Sequence, residues 1–322
     1  MDIFKKITEL SDVYFDEIRL IRQHLHKHPE LSFKEFKTSE FIETKLKDLK
    51  LDYKKYVKTG IMGVLEGNTT NGRTIALRAD IDALPIQELG THDFKSQNDG
   101  IMHACGHDIH TSSLLGALKI LSELKSHWNG RILFIFQPGE EVLPGGAKLM
   151  MEEGIFDEYK PDLVIGQHVQ PDIDAGKVGF KPGMYMASTD ELYLKIIGKG
   201  GHAAMPHQVI DPIVIASNVI MSLQQVVSRY GNVSIPSVLS FGKFVGGHVN
   251  NVIPNEVNLA GTFRTMDEDW RNRAHKHITN IATSIAKGMG GDCEVDIRRG
   301  YPFLVNDEAM TTKSKEIAVD YL

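Results

Sequence analysis

Residues 102–110 read Met-His-Ala-Cys-Gly-His-Asp-Ile-His, so three histidines, a cysteine and an aspartate fall just before a long apolar helical pattern. Read as an extended segment, residues two apart point to the same side. Cys105 and His107 can then reach one ion, and Gly106 adds no side chain between them. Thiolate plus imidazole suits zinc and other borderline transition metals. The same residues also suit a buried free cysteine beside hydrogen-bonded histidines, and this stretch alone does not separate the two.

The rest of the chain narrows the choice. Its 322 residues, 42% hydrophobic and 24% charged, suffice for one large domain or two smaller ones. A formal net charge of −6 without a basic patch argues against a nucleic-acid partner. Cys105 and Cys293 are the only cysteines, which excludes a disulfide framework. The N-terminal MDIFKKITELSDVYFDEIRL mixes acids and bases and is not a signal peptide. No apolar run is long enough for a bilayer, so the cytoplasm is the expected compartment and no membrane partner is expected.

Residues 3–28 read as an amphipathic helix stopped at His28-Pro29, and 33–47 as a second helix. Short β-prone runs follow at 61–65 and 74–78, the second leading into Asp80 and Asp82. Residues 111–128 carry leucines at helical spacing. Arg131–Phe136 (RILFIF) is a continuous apolar strand of the kind buried on both faces, and it leads into Gln137-Pro138-Gly139-Glu140-Glu141. Residues 145–154 form a short helix, and 162–167 another buried-type strand that delivers His168. In open α/β sheets, sites form at the C-terminal ends of strands. Adjacent carboxylates diverge, so one of Glu140 and Glu141 can hold a metal while the other addresses water, although an acidic loop in solvent has the same sequence. Convergence of Asp80/Asp82, Cys105/His107, Glu140/Glu141 and His168 favours a metal site.

From about residue 185 the pattern changes. Strand 191–197, a glycine-rich turn ending in His202, helix 211–230, strands 238–244 and 257–264, helix 267–287 and strand 293–298 follow in turn. This is the β-α-β-β-α-β order of a ferredoxin-like unit. The turn lacks the Lys-Ser/Thr ending of a phosphate loop, so nucleotide binding is rejected there.

HKHPELSF, RADIDALP, MHACGHDIH, QPGEE, GKGGHAAMPH, NNVIP and GTFRT occur in that order. Together they closely resemble the metal-dependent amidohydrolases of the aminoacylase and carboxypeptidase G superfamily. The nearest branch contains hippurate hydrolases, N-acetyl-diaminopimelate deacetylases and auxin-conjugate hydrolases. The resemblance implies an α/β fold: a zinc-exopeptidase-like catalytic domain with a central mixed sheet (residues 1–184 and 299–322) and an inserted ferredoxin-like lid and dimerisation domain (185–298). It implies hydrolysis of the amide of N-acyl amino acids with two divalent ions per site, zinc or manganese first, cobalt or nickel tolerated. By resemblance Cys105, His107, Glu141 and His168 are metal ligands, Glu140 is the general base, and Asp82 orients a ligand. His202 stabilises the oxyanion, Asn251 and Arg264 bind the substrate carboxylate, and a homodimer forms through the lid. The chain stops at Leu322, and no residue matches one further ligand histidine that related chains carry near their C-termini. That departure motivates one alternative, a truncated, non-catalytic metal-binding homologue; the nearer alternative is a dipeptidase or aminopeptidase of the same superfamily, against which the Cys-Gly-His-Asp ligand version points by resemblance.

Overall fold

The computed structural model describes residues 2–322, and the chain divides into two compact units, Met1–Lys177 and Val178–Leu322. The first opens with α1 (Ile3–Lys27), whose N-cap Asp2 accepts the backbone N–H groups of Phe4 and Lys5. It ends at His28, just ahead of Pro29, where helical φ/ψ is disfavoured. Then come α2 (Phe36–Asp48), β1 (Tyr53–Tyr56), β2 (Gly60–Glu66), β3 (Thr74–Asp80), α3 (His107–Glu123), β4 (Arg131–Gln137), α4 (Gly146–Glu152) and β5 (Leu163–Gly166). The strands form one mixed sheet, ordered β1-β2-β4-β3-β5, in which β3 runs parallel to both β4 and β5.

The apolar run of β4 is the centre of that sheet. Ile132, Phe134 and Phe136 face a core shared with Ile21 and Leu25 of α1, Ile42 and Leu46 of α2, and Leu114, Leu115 and Leu118 of α3. Leu133 and Ile135 face the other way, onto Met62, Met150 and Ile155. Each such buried side chain contributes about 1.5–3 kcal/mol. Strand β5 was expected to be buried like β4. It is instead an edge strand with Val164 and Ile165 exposed, so its apolar run was not a sign of cover on both faces.

The second unit contains β6 (Gly183–Met186), β7 (Asp190–Ile197), β8 (Gly201–His202), α5 (Pro212–Gln225), β9 (Ser237–Val245), β10 (Val252–Ile253), β11 (Glu256–Thr265), α6 (Glu268–Gly288), β12 (Asp292–Arg299), β13 (Leu304–Asn306) and α7 (Glu308–Tyr321). An antiparallel sheet ordered β12-β7-β11-β9 packs against α5 and α6, which is ferredoxin-like connectivity. Leu192, Leu194 and Ile196 of β7 alternate inward onto Val219, Leu223, Ile278 and Ala282. The helix expected over 211–230 gives way at Val226 to a π turn, Val226–Tyr230. Two small ribbons, β8–β10 and β6–β13, lay outside the expected elements. Residues 299–322 fall in this second unit. Among the described residues, no helix is long and apolar enough to cross a membrane.

Candidate functional site

Because β4, β3 and β5 are mutually parallel, their C-terminal ends lie along one edge of the sheet. The chain leaving β3 carries Asp82, the loop after β4 carries Glu140 and Glu141, and His168 lies just past β5. Helix α3 is tied to the same edge by the Thr111 hydroxyl, which donates to the Asp80 carbonyl at 2.9 Å.

Cys105 and His107 do converge, but not as an extended segment. Gly106 is left-handed (φ 81°) and caps α3, and His107 is the first residue of that helix. A Cβ at Gly106 would run into Val169, the residue after His168. Glycine is therefore required twice over, by φ and by the close approach of the His168 segment.

The donors meet around His107, which is buried. Its Nδ1 lies 2.9 Å from the Asp82 carbonyl and 3.2 Å from Asp82 Oδ1, so Nδ1 carries the proton and Nε2 faces the other donors. His168 is set the same way: Nδ1–H donates to the Val169 carbonyl at 2.7 Å, and Nε2 lies 3.2 Å from Cys105 Sγ. The donor atoms of Cys105, His107 and His168 all lie within 4.8 Å of one another, as do those of His107, Glu140 and Glu141 and those of Asp80, His107 and His110. Nε2 of His107 is 3.9 Å from Glu141 Oε1, and that buried oxygen has no hydrogen-bond partner among the described residues.

The electrostatics follow from this crowding. Hydrogen bonds from His107 and His168 hold the Cys105 thiol below its ordinary pKa. Burial opposes a charged His107, yet Asp82 and Cys105 outweigh it and push the imidazole up to about 11. Burial, then the charges of Asp80 and Glu141, push Glu140 up to about 7. Burial would raise Asp82, but hydrogen bonds from His107, the Glu141 N–H and the Ser32 hydroxyl hold it below the usual range. The clustered donor atoms and the orphaned Glu141 oxygen have room for a shared cation. Sulfur, nitrogen and oxygen donors together fit a zinc-class ion. They outnumber what one tetrahedral ion takes.

Supporting residues escaped the sequence reading. Glu35 is fully buried; Oε1 accepts the N–H groups of Phe33 and Gly139 at 2.8 Å, and Oε2 accepts the Thr59 hydroxyl. It thereby fixes the loop carrying Glu140 and Glu141. Ser32 donates to Asp82 at 2.7 Å, and Arg78 meets Asp80. His110 lies in the quoted motif but was given no role; its ring is 4.7 Å from that of His168. Ser32 likewise lies in a quoted motif without a role, and nothing local marks Glu35, whose contacts to Thr59 and Gly139 are distant in sequence.

The remaining candidates lie in the second unit. His202 ends β8; its Nδ1 accepts the Ala204 N–H at 3.1 Å, leaving an N–H donor at Nε2 on an exposed residue. Asn251 lies just before β10, whose Val252 pairs with His202, and its carbonyl accepts the Ala203 N–H at 3.0 Å. Arg264 is exposed near the end of β11, opposite Val238.

A family model described as Peptidase family M20/M25/M40 matches residues 76–322. The N-acyl-L-amino acid amidohydrolase of Geobacillus stearothermophilus is 44% identical over 303 residues, covering 94% of this chain and 81% of that protein. The N-acetyl-L-cysteine deacetylase of Bacillus subtilis is 43% identical, over 92% of this chain and 71% of its own length. Among solved structures, the Bacillus subtilis YXEP protein, described as a dinuclear metal-binding peptidase from the M20 family, superposes with a TM-score of 0.79 at 34% identity, covering 96% of this chain and 80% of that one.

Proposed function

The chain belongs to peptidase family M20/M25/M40, and from that premise we propose that it releases amino acids from N-acyl amino acids by metal-assisted hydrolysis. It is an amide-hydrolysing enzyme, as its amidohydrolase and deacetylase relatives indicate. The observation that carries the finer reading is the paired orientation of His107 and His168, each with Nδ1–H engaged and Nε2 turned toward Cys105 or Glu141. An imidazole held this way by a carboxylate or a carbonyl is in the tautomer a metal ligand needs.

In this reading Cys105, His107, Glu141 and His168 hold the metal, and Asp82 orients His107. A divalent ion held there supplies Lewis acidity, polarising the amide carbonyl and acidifying water. Glu140 takes the proton of the attacking water and passes it to the leaving amine. His202 donates from Nε2 to the oxyanion, an interaction worth about 3 kcal/mol in comparable sites. Arg264 forks to the substrate carboxylate, helped by Asn251. Two ions per site are proposed. Zinc or manganese are the first choices, with cobalt or nickel tolerated by the same donors.

The proposed division keeps residues 1–184 and 299–322 as the catalytic domain and 185–298 as the lid. A homodimer through the lid and a cytoplasmic location belong to the same proposal; sedimentation and cell fractionation check them. The test of function is free-amine release from a panel of N-acyl amino acids, with zinc and manganese supplied separately, for the wild type and Glu140→Gln. Turnover of some member, lost in the variant while bound metal is kept, is expected. No turnover of any member, or equal turnover by the variant, would overturn the reading.

A further inference from the structure

We propose that His26, Glu88 and His92 form an additional metal site, distinct from the Cys105–His107–His168 cluster and suited to a zinc-class divalent ion. His92 Nε2 lies 2.8 Å and His26 Nε2 3.2 Å from the same oxygen, Glu88 Oε1. The three donor atoms lie within 4.8 Å of one another. The other Glu88 oxygen is already used: Oε2 accepts the Ser96 N–H at 2.7 Å, which aims Oε1 at the imidazoles.

His26 is prepared from behind. Its Nδ1 lies 2.9 Å from Asp108 Oδ2, and that oxygen also takes the Arg22 Nε–H at 2.6 Å. With Nδ1–H committed to Asp108, the Nε2 lone pair of a neutral His26 points at a carboxylate oxygen. Two acceptors face to face require a cation between them, either a proton or a metal. A carboxylate behind a histidine whose other nitrogen faces a second carboxylate and a second histidine is the arrangement of a zinc ligand set with its supporting partner.

The His92 side is positioned and accessible. Its ring stacks on Phe94 with centroids 4.0 Å apart, and Arg22 lies over Phe94 at 4.8 Å. A cavity of about 330 Å³ lined by Gln23, Lys27, His92, Asp93 and Phe94 gives an ion and its water a way in. His26 and Glu88 are buried. Two histidines and one carboxylate, with one side open, make the three-ligand set that leaves a fourth position for water. An ion here would clamp the end of α1 to the segment after β3.

The test uses cobalt(II) as probe, because a thiolate-bound ion shows sulfur-to-cobalt charge transfer and this thiol-free site does not. The full chain, stripped of metal, is titrated as the wild type, Cys105→Ser, His92→Ala and the double variant. We expect Cys105→Ser to lose the charge-transfer band yet keep a visible cobalt absorption that weakens, with one ion fewer per chain, when His92→Ala is added. The affinity of that ion should fall by roughly a hundredfold or more, since lost supporting partners alone cost 10–100-fold. Equal ion counts and affinities with and without His92→Ala overturn the proposal, and His26 is then bridged by a proton alone. Anomalous diffraction from zinc-soaked wild-type crystals is a second arm that needs no variant. A peak between the three side chains supports the site, and its absence at saturating zinc overturns it.

Discussion

Each unit buries a cluster of charged groups, and the two clusters are built on opposite plans. In the second unit Asp190 and Arg271 are almost inaccessible, and nearly every polar atom is spoken for. Arg271 Nε and Nη2 fork onto Asp190, Nη1 takes both oxygens of Glu268, and Nη2 also reaches the carbonyls of Thr189 and Gly300. His275 adds 2.6 Å contact to Asp190 Oδ2. In the first unit, around His107, a carboxylate oxygen of Glu141 and Nε2 of His110 lack hydrogen-bond partners among the described residues, while His110 Nδ1 has only Asp80 Oδ2 at 3.4 Å. One cluster closes on itself. The other leaves donors turned toward a common point, and protein atoms alone do not satisfy it. Burial and charge are shared by both; what distinguishes the candidate site is incomplete satisfaction.

The sharpest way to break the comparison is to remove one carboxylate function from each cluster. Glu140→Gln should cut turnover by about a thousandfold or more, the upper range for loss of a general base, with little change in melting temperature. Asp190→Asn should do the reverse. It takes the main counter-charge from the buried Arg271 and leaves only Glu268, which costs about 3 kcal/mol, read as a lower denaturation midpoint. If Glu140→Gln melted early and turned over normally, the two clusters would have been assigned the wrong way round.

The Asp190 cluster also carries a pH signature. Burial would raise the carboxyl, but hydrogen bonds from His275 and Arg271 hold it at about 2, below its ordinary 3.8. Its stabilisation is therefore complete above about pH 4 and is lost as pH falls through the window from 3.8 toward 2. Urea titrations of the wild type from pH 5 to pH 2 should show that loss, about 2 kcal/mol for a shift of this size, and Asp190→Asn should flatten it.

Gly106→Ala tests how the first cluster is held. The left-handed φ and the approach of Val169 both oppose a Cβ, so about 1–3 kcal/mol of strain is expected. The relief available is to push Val169, and His168 with it, away from Cys105. Bound metal should fall more than the far-ultraviolet signal of folding does. A variant with full metal content would mean that His168 is not held in place through Gly106.

This glycine marks how far the sequence could be read. The apolar run of β4 foretold a central strand, and the order of elements from residue 190 foretold the β12-β7-β11-β9 sheet. Both are legible because periodicity records which faces an element buries. The placement of Asp82, Glu140, Glu141 and His168 at strand ends followed from the same logic. The turn at Gly106 did not, since Cys-Gly-His reads equally well as extended or as a left-handed helix cap. Strand β5 misled because an apolar run reports composition and not its place at a sheet edge. The Asp190–Arg271 pair joins residues 81 apart, and Glu35 meets Gly139 across 104, separations that no local pattern encodes.

The smallest expected effect returns to the second unit, where two arginines repeat the contrast at the level of one residue type. Arg271 is consumed by the core and is a poor target for function. Arg264 is exposed near the end of β11, and among the described residues its guanidinium has no ion pair or hydrogen bond. A planar fork left free is suited to a carboxylate from outside the chain. Arg264→Ala should therefore raise KM for carboxylate-bearing N-acyl substrates by about tenfold, equivalent to about 1.4 kcal/mol, with kcat and melting temperature little changed. Amides lacking that carboxylate should be hydrolysed equally by wild type and variant. An identical KM profile across charged and uncharged amides would remove Arg264 from the substrate site and leave it a surface charge, while Arg271→Ala should still unfold the unit that carries both.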